Sequence, residues 1–177
     1  MIVLGRLVEQ VAGRPLDVHL RETVFGPLGM KDTGYDPEPS RCAPTSSEPP
    51  GRVHDPLARA YRTKDRAPGN AGLFSTGDDL ALFLRELLGG RVLKPATVDL
   101  LFTPNRAAGA DTRGLGWDVF DESPYAPGAG HTGYTGTLLW IDSSRDRFLV
   151  LLTNRVYPDD KAVAGPLRRE VLSIVNR

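Results

Sequence analysis

Histidine is the side chain whose charge ordinarily changes near neutral pH, and this sequence holds three: His19, His54 and His131. His19 falls inside a helical stretch, where a surface position is the simpler reading. His54 precedes Asp55 in a loop, so a His–Asp hydrogen bond is open, either as a local turn contact or as a dyad. His131 stands in Gly130-His131-Thr132-Gly133-Tyr134-Thr135-Gly136, among small, flexible residues, and an apolar run of strand length follows at once. Chemistry placed just before a buried strand sits on a rigid support where a reactive carbonyl can be aligned. On pattern alone, a structural and a functional role for His131 both stay open. The lone Cys42 lies in a Pro-rich loop with no base arranged beside it and reads as an incidental thiol. It excludes an internal disulfide and a cysteine metal cluster. No histidine pair has zinc-ligand spacing and there is no His-Glu-x-x-His, so no metal and no other cofactor is expected.

None of Ser40, Ser46, Ser47, Ser75, Ser123, Ser143, Ser144 or Ser173 has a lysine three residues later. No Tyr-x-Asn or Ser-x-Asn triplet occurs either. Ser75 narrowly misses Gly-x-Ser-x-Gly, because Gly72 is one place too early and no convincing strand precedes it, so helix capping is its expected role. The chain by itself shows no complete pair of nucleophile and base.

The elements that must position His131 follow from periodicity. Thr137 to Asp142 and Phe148 to Thr153 are strand-length apolar runs joined by Ser143-Ser144-Arg145-Asp146, an antiparallel hairpin. Leu115 to Phe120, centred on Trp117, supplies a third strand. A sheet of three strands has two open edges and looks incomplete. Helices are expected over Met1–Val11, Pro15–Val24, Leu57–Tyr61, Asp78–Leu88, Pro95–Phe102 and Asp160–Val175. In the first, Ile2, Val3, Leu4, Leu7, Val8 and Val11 form the apolar set, opposite Arg6, Glu9 and Gln10. In the fourth, Asp78–Leu88, the face is Leu80, Phe83, Leu84, Leu87 and Leu88, with Ser75 or Thr76 as cap. In the last, it is Val163, Leu167, Val171, Leu172 and Val175. Phe25 to Met30 reads as a packed loop, and Asp36–Gly51 and Arg62–Asn70 as loops. The class is α+β, with 1–177 as a single partial domain. The first helix starts with no capping residue ahead of it, as in a chain cut from a longer protein.

Composition narrows the partners. Lys+Arg and Asp+Glu are both 22, so bulk charge favours neither nucleic acid nor an anionic membrane. No apolar run approaches membrane-spanning length, and no basic n-region precedes an apolar h-region. The 19 Gly and 15 Pro gather between residues 36 and 72 and between 104 and 130, which means long connections of the kind that often carry function.

Five stretches in order carry a resemblance. They are Leu4-Gly5-Arg6-Leu7-Val8-Glu9-Gln10-Val11-Ala12-Gly13-Arg14-Pro15-Leu16, Gly26-Pro27-Leu28-Gly29-Met30-Lys31-Asp32-Thr33-Gly34-Tyr35, Ala71-Gly72-Leu73-Phe74-Ser75-Thr76, Gly114-Leu115-Gly116-Trp117 and Gly130-His131-Thr132-Gly133. Together they resemble the serine hydrolases related to class C β-lactamases, D-alanyl-D-alanine peptidases (penicillin-binding proteins) and β-lactamase-fold esterases. Asn70, where relatives often have histidine, and the loop from Asp36 to Pro50 depart from the pattern.

The resemblance implies a β-lactamase-like fold, present in its C-terminal part, and a substrate whose carbonyl is acylated onto a serine and then hydrolysed. Of the family's three motifs, only Lys-Thr-Gly or His-Thr-Gly is matched, by His131, Thr132 and Gly133 on what the family pattern makes an edge strand. The Ser-x-x-Lys and Tyr-x-Asn-like motifs belong upstream of Met1. By position, His131 and Tyr134 become the catalytic candidates, the latter through its backbone N–H as one of two oxyanion donors. Thr132 and Gly133 become substrate-binding, through a hydroxyl and through close backbone approach. The partner implied is the missing N-terminal half together with a small-molecule or peptide substrate. Members are often extracytoplasmic, while this chain carries no address of its own. A second reading, a non-catalytic remnant that binds peptide or cell-wall fragments or docks on another chain, rests on the missing nucleophile pair.

Overall fold

The computed structural model describes residues 1–45, 49–63, 66–105, 112–122, 124–159 and 161–177. Ser46, Ser47 and Glu48, and Lys64 and Asp65, fall in segments read as loops, and they lie outside the described residues. So do Ser123 and Asp160, the expected first residue of the last helix. Two compact units are present: Met1–Leu80 with Val156–Asp160, and Ala81–Arg155 with Lys161–Arg177.

The first unit opens with α1 (Ile2–Ala12), ended by Gly13 at φ 66, the left-handed stop that the Gly after the apolar run predicts. Its packing departs from the expectation of a buried apolar face. Val3 and Val11 are 83% and 82% exposed, and Leu4 and Leu7 are also exposed, whereas Gly5 and Glu9 are buried. The cause is backbone approach. A Cβ on Gly5 would sit 3.2 Å from the Gly69 backbone, and one on Gly69 would sit 2.6 Å from the Met1 carbonyl oxygen, so two glycines permit the contact. Glu9 then does polar work on the buried side. Its carboxylate accepts from the Leu16 N–H at 3.1 Å and from Arg6 at 3.0 Å, satisfying a donor at the start of the next helix.

The second helix continues further than its pattern suggests. α2 (Leu16–Leu20) passes into a π-helical turn (Arg21–Phe25) and α3 (Gly26–Leu28), before Gly29 stops it at φ 74. The packed loop expected from Phe25 is therefore helical as far as Leu28, with Phe25 and Met30 buried as expected. Asp55 accepts from the Ala58 N–H at 2.6 Å and so caps α4 (Pro56–Tyr61). A 3₁₀ turn (Pro39–Arg41) interrupts the long loop. Two of the five family-like stretches are bonded to each other: Gly34 and Phe74 exchange backbone bonds at 3.0 and 2.8 Å. Beside them the Thr33 hydroxyl lies 2.7 Å from Ser75 Oγ and from the buried Asp79 carboxylate. Thr76 caps α5 (Gly77–Leu88) by accepting from the Asp79 N–H, so Ser75 pairs with Thr33 rather than capping.

The second unit is built on a four-stranded antiparallel sheet in the order β1 (Asp118–Phe120), β2 (Gly128–Thr132), β3 (Leu138–Asp142) and β4 (Arg147–Leu151). The hairpin is as expected, but two features correct the sequence reading. The glycine-rich stretch before it is itself a strand, β2, so among the described residues the sheet has four strands rather than three. The Trp117 strand is shorter than expected because Gly116 takes φ 85 and the Gly114 N–H closes onto the Trp117 carbonyl as a turn. On one face, Leu138 and Trp140 pack with Leu172 of α7 (Gly165–Val175). On the other, Ala129 and Ile141 pack with Leu84 and Leu87 of α5 and Val98 of α6 (Pro95–Leu101). Val163 and Leu167, expected on the covered face of the last helix, are exposed.

The β3–β4 turn is pinned by Asp142, whose side chain is 1% exposed. Burial pushes this carboxyl up, yet hydrogen bonds from Ser144 and Arg147 and the Arg145 charge outweigh it and hold it below its ordinary 3.8. Arg147 in turn donates to the Val175 carbonyl at 3.0 Å, tying the turn to the end of α7. A carboxyl lowered on folding contributes stability that is present above pH 3.8 and is lost as pH falls below it through the folded value. Urea unfolding followed from pH 6 to about 2 is expected to lose part of this acid-side slope in Asp142→Asn. Parallel profiles for the two proteins contradict this role.

Candidate functional site

His131 and Thr132 form the last two residues of β2 and are exposed, after the buried Ala129 and Gly130. The register explains the change. His131 stands opposite Leu139 and Thr132 opposite Leu138, so β3 backs both of them. On the other side β1 pairs only with Gly128, Ala129 and Gly130. β2 is thus an interior strand, not the edge strand the resemblance implied, but its last two residues run past the end of β1. Directly opposed residues of an antiparallel pair share a face, which puts His131 on the Ala129–Ile141 side and Thr132 on the Leu138 side.

The strand ends because the backbone turns at Gly133. The Gly133 N–H donates to the Thr137 carbonyl at 2.8 Å, and the Gly136 N–H donates to the Gly133 carbonyl at 3.1 Å. A Cβ at Gly133 would overlap the Thr137 hydroxyl oxygen. Gly136 takes φ 121 and would place a Cβ 2.7 Å from the Thr153 carbonyl oxygen, so neither position accepts a side chain without movement.

Every carbonyl from Gly133 to Thr137 accepts a hydrogen bond from neighbouring structure. Arg168 Nη2, from α7, donates to the Gly133 and Thr137 oxygens, both at 2.8 Å. Arg155 Nε donates to the Tyr134 oxygen at 2.6 Å, and its own N–H donates to Thr135 at 2.9 Å. Thr153 Oγ1 donates to the Gly136 oxygen at 2.6 Å. The Arg155 guanidinium also lies 4.5 Å from the centre of the Tyr134 ring, within cation–π range. Burial, with a smaller contribution from the Arg155 charge, pulls the Arg168 pKa below its ordinary value, and the nearby Tyr125 opposes this. Neither arginine was singled out by sequence. Arg168 falls on what the helical pattern makes the polar face of α7, and nothing local signals that its donors turn inward.

The structure places His131, Thr132, Gly133 and Tyr134 consecutively at one exposed end of the sheet, with no other histidine in that unit. His19 and His54 belong to the first unit. There His19 Nδ1 accepts from Arg14 at 3.3 Å, and burial, ahead of the opposing Asp55 charge, lowers the His54 pKa. The Asp55 carboxylate is engaged as the cap of α4, so it serves the local structure. Of the described serines, Ser75 is engaged with Thr33, Ser144 with Asp142 and Ser173 with the Glu170 carbonyl. Two open grooves of about 270 and 300 Å³ lie along α1, and neither includes a residue of the His131 segment. Among the described residues no helix is long and apolar enough to cross a membrane.

A family model described as Beta-lactamase matches residues 1–173. The chain is 31% identical over 191 residues to an N-acetylmuramyl-L-alanine amidase of Bacillus subtilis (strain 168), covering 87% of this chain and 42% of that protein. It is 31% identical over 200 residues to a putative D-alanyl-D-alanine carboxypeptidase of Salmonella gallinarum (strain 287/91 / NCTC 13346), covering 93% and 45%. Among solved structures it is similar to EstCE1, a hydrolase with promiscuous acyltransferase activity, at TM-score 0.72 and 25% identity over 99% of this chain and 54% of that one. It is also similar to the D-amino acid amidase of Ochrobactrum anthropi SV3, at TM-score 0.66 and 25% identity over 99% and 58%. The chain spans less than half the length of these two curated relatives.

The overlap at Gly133 yields a double-mutant test. Gly133→Ala is expected to destabilise by about 1–3 kcal/mol through overpacking. Thr137→Ala, which removes the obstructing hydroxyl, is expected to recover roughly 0.5–3 kcal/mol of that as a coupling energy. Additive losses in urea unfolding place the constraint at Gly133 elsewhere.

Proposed function

Because the chain belongs to the beta-lactamase family, we propose that it forms the carbonyl-binding wall of a serine hydrolase that cleaves amide or ester bonds through an acyl-serine intermediate. The observation that carries this reading is the His131-Thr132-Gly133-Tyr134 segment at the end of β2, exposed at His131, Thr132 and Tyr134 and held from behind through the Gly133 and Tyr134 carbonyls. The names of its relatives point the same way: an amidase, a carboxypeptidase, and a hydrolase with acyltransferase activity all move an acyl group.

In this mechanism the substrate lies along the end of β2. Its carbonyl oxygen takes the Tyr134 N–H as one oxyanion donor, the other being the N–H of the acylated serine. Loss of one such donor costs on the order of 3 kcal/mol in the transition state. The Thr132 hydroxyl bonds the substrate, and Gly133 meets it through its backbone, the place a Cβ would take there being filled by the Thr137 hydroxyl. His131 moves a proton at its imidazole or steers a substrate carboxylate. The serine Oγ forms a bond to the carbonyl carbon, and the C–N or C–O bond breaks as the leaving group takes up a proton. Water then cleaves the ester, regenerating the serine. The Ser-x-x-Lys and Tyr-x-Asn-like residues come from a segment outside these 177, so residues 1–177 form part of one such domain.

The coding sequence upstream of Met1 tests this. An in-frame Ser-x-x-Lys and a Tyr-x-Asn-like triplet are expected. The protein expressed with them is expected to turn over p-nitrophenyl esters or nitrocefin, with kcat lowered roughly 10²–10⁴-fold in His131→Ala. Absence of both motifs upstream, or turnover indifferent to His131, sinks the proposal.

A further inference from the structure

The Gly133–Tyr134 peptide is not among the cis bonds of the described residues, which are Ala126–Pro127 and Tyr157–Pro158. In a planar trans unit the C=O and the N–H point in opposite directions. The Gly133 oxygen faces Arg168 Nη2 at 2.8 Å, so the Tyr134 N–H of the same unit points away from α7. The arginine thus sets the direction of the donor without touching it.

It also sets the strength of that donor. A cation donating to a carbonyl oxygen draws electron density through the amide and makes its N–H a better donor, since bonded amides polarise one another in a low-dielectric setting. The Gly133 oxygen accepts from both Arg168 and the Gly136 N–H, so the unit is polarised from two sides. Arg168 is partly buried, and its Nε atom is enclosed without a partner among the described residues. Placing a guanidinium there carries a desolvation cost that a surface cation avoids, and the two carbonyl bonds act against that cost.

We propose that Arg168 is a positioning residue for acyl transfer, which orients and polarises the Gly133–Tyr134 peptide so that the Tyr134 N–H serves as an oxyanion donor. Arg155 performs the same operation one peptide later, through the Tyr134 oxygen and hence on the Thr135 N–H. The use made of the Tyr134 N–H rests on the acyl-transfer reading above, whereas the polarisation itself does not. The two can therefore fail separately.

The test is nuclear magnetic resonance on the 177-residue chain. Arg168→Met is expected to move the Tyr134 amide proton upfield, shift the Gly133 carbonyl carbon and leave the Thr135 amide in place. Arg155→Met is expected to move the Thr135 amide and spare Tyr134. Arg168→Lys, which keeps the charge but ends in an ammonium on a shorter stem in place of the planar Nη2 that donates to both Gly133 and Thr137, is expected to fall between Arg168→Met and the parent. Unchanged Tyr134 and Gly133 resonances in folded Arg168→Met overturn the proposal, as does a shift spread evenly over residues 133–138. A measurement on the unsubstituted chain removes dependence on folding. A through-hydrogen-bond coupling between Arg168 Nη2 and the Gly133 carbonyl carbon is expected, and its absence overturns the proposal. A confirmed pattern of shifts, combined with no upstream nucleophile, leaves the polarised peptide standing and removes only the acyl-transfer reading.

Discussion

Burial of β3 on both faces is the constraint from which the rest of the second unit follows. Leu138, Trp140 and Ile141 are almost wholly excluded from water, with α7 covering one side and α5 and α6 the other. Each such side chain contributes on the order of 1.5–3 kcal/mol by leaving water. A strand held this way cannot slip, because a one-residue change of register would exchange the two faces. Its neighbour β2 inherits that register, and Gly128 and Gly130 answer it. A Cβ on Gly128 would meet the Trp140 indole nitrogen at 2.5 Å, and one on Gly130 would meet the Leu139 oxygen at 2.6 Å. The small residues before His131 are therefore small because Trp140 and the β3 backbone lie against them. His131 owes its position to that contact.

The same reasoning shows what the sequence displays and what it hides. Alternation and turn residues are local, so the β3–β4 hairpin, α5 and the stop at Gly13 are legible from the order of residues alone. β2 is hidden because Gly128-Ala129-Gly130 looks like a loop. Its strand character comes from Asp118–Phe120 on one side and β3 on the other. The π-helical turn at Arg21–Phe25 is hidden for a related reason: Gly26 and Pro27 look like a helix stop but sit within a continuing helical turn.

The site shows the same division. His131, Thr132, Gly133 and Tyr134 stand out through a recognisable motif, although the strand that bears them is interior for most of its length. Arg155 and Arg168 do not stand out, since an arginine with inward-turned donors looks the same in sequence as one in water. Their role appears only when the five carbonyls of Gly133–Thr137 are followed to their donors. Accounting for where each backbone group goes found what residue spacing could not.

The outward-facing apolar residues of α1 have a consequence for how the chain behaves in bulk. Val3, Leu4, Leu7 and Val11 present an oily stripe to solvent, while the formal charge of the chain is zero and its isoelectric point is about 6.8. Near neutral pH there is no long-range repulsion to keep two such stripes apart. The colloidal limit of this chain is thus set at the point of weakest repulsion. Solutions a unit or two of pH to either side hold molecules of like charge apart, with the effect fading as added salt shortens the screening length.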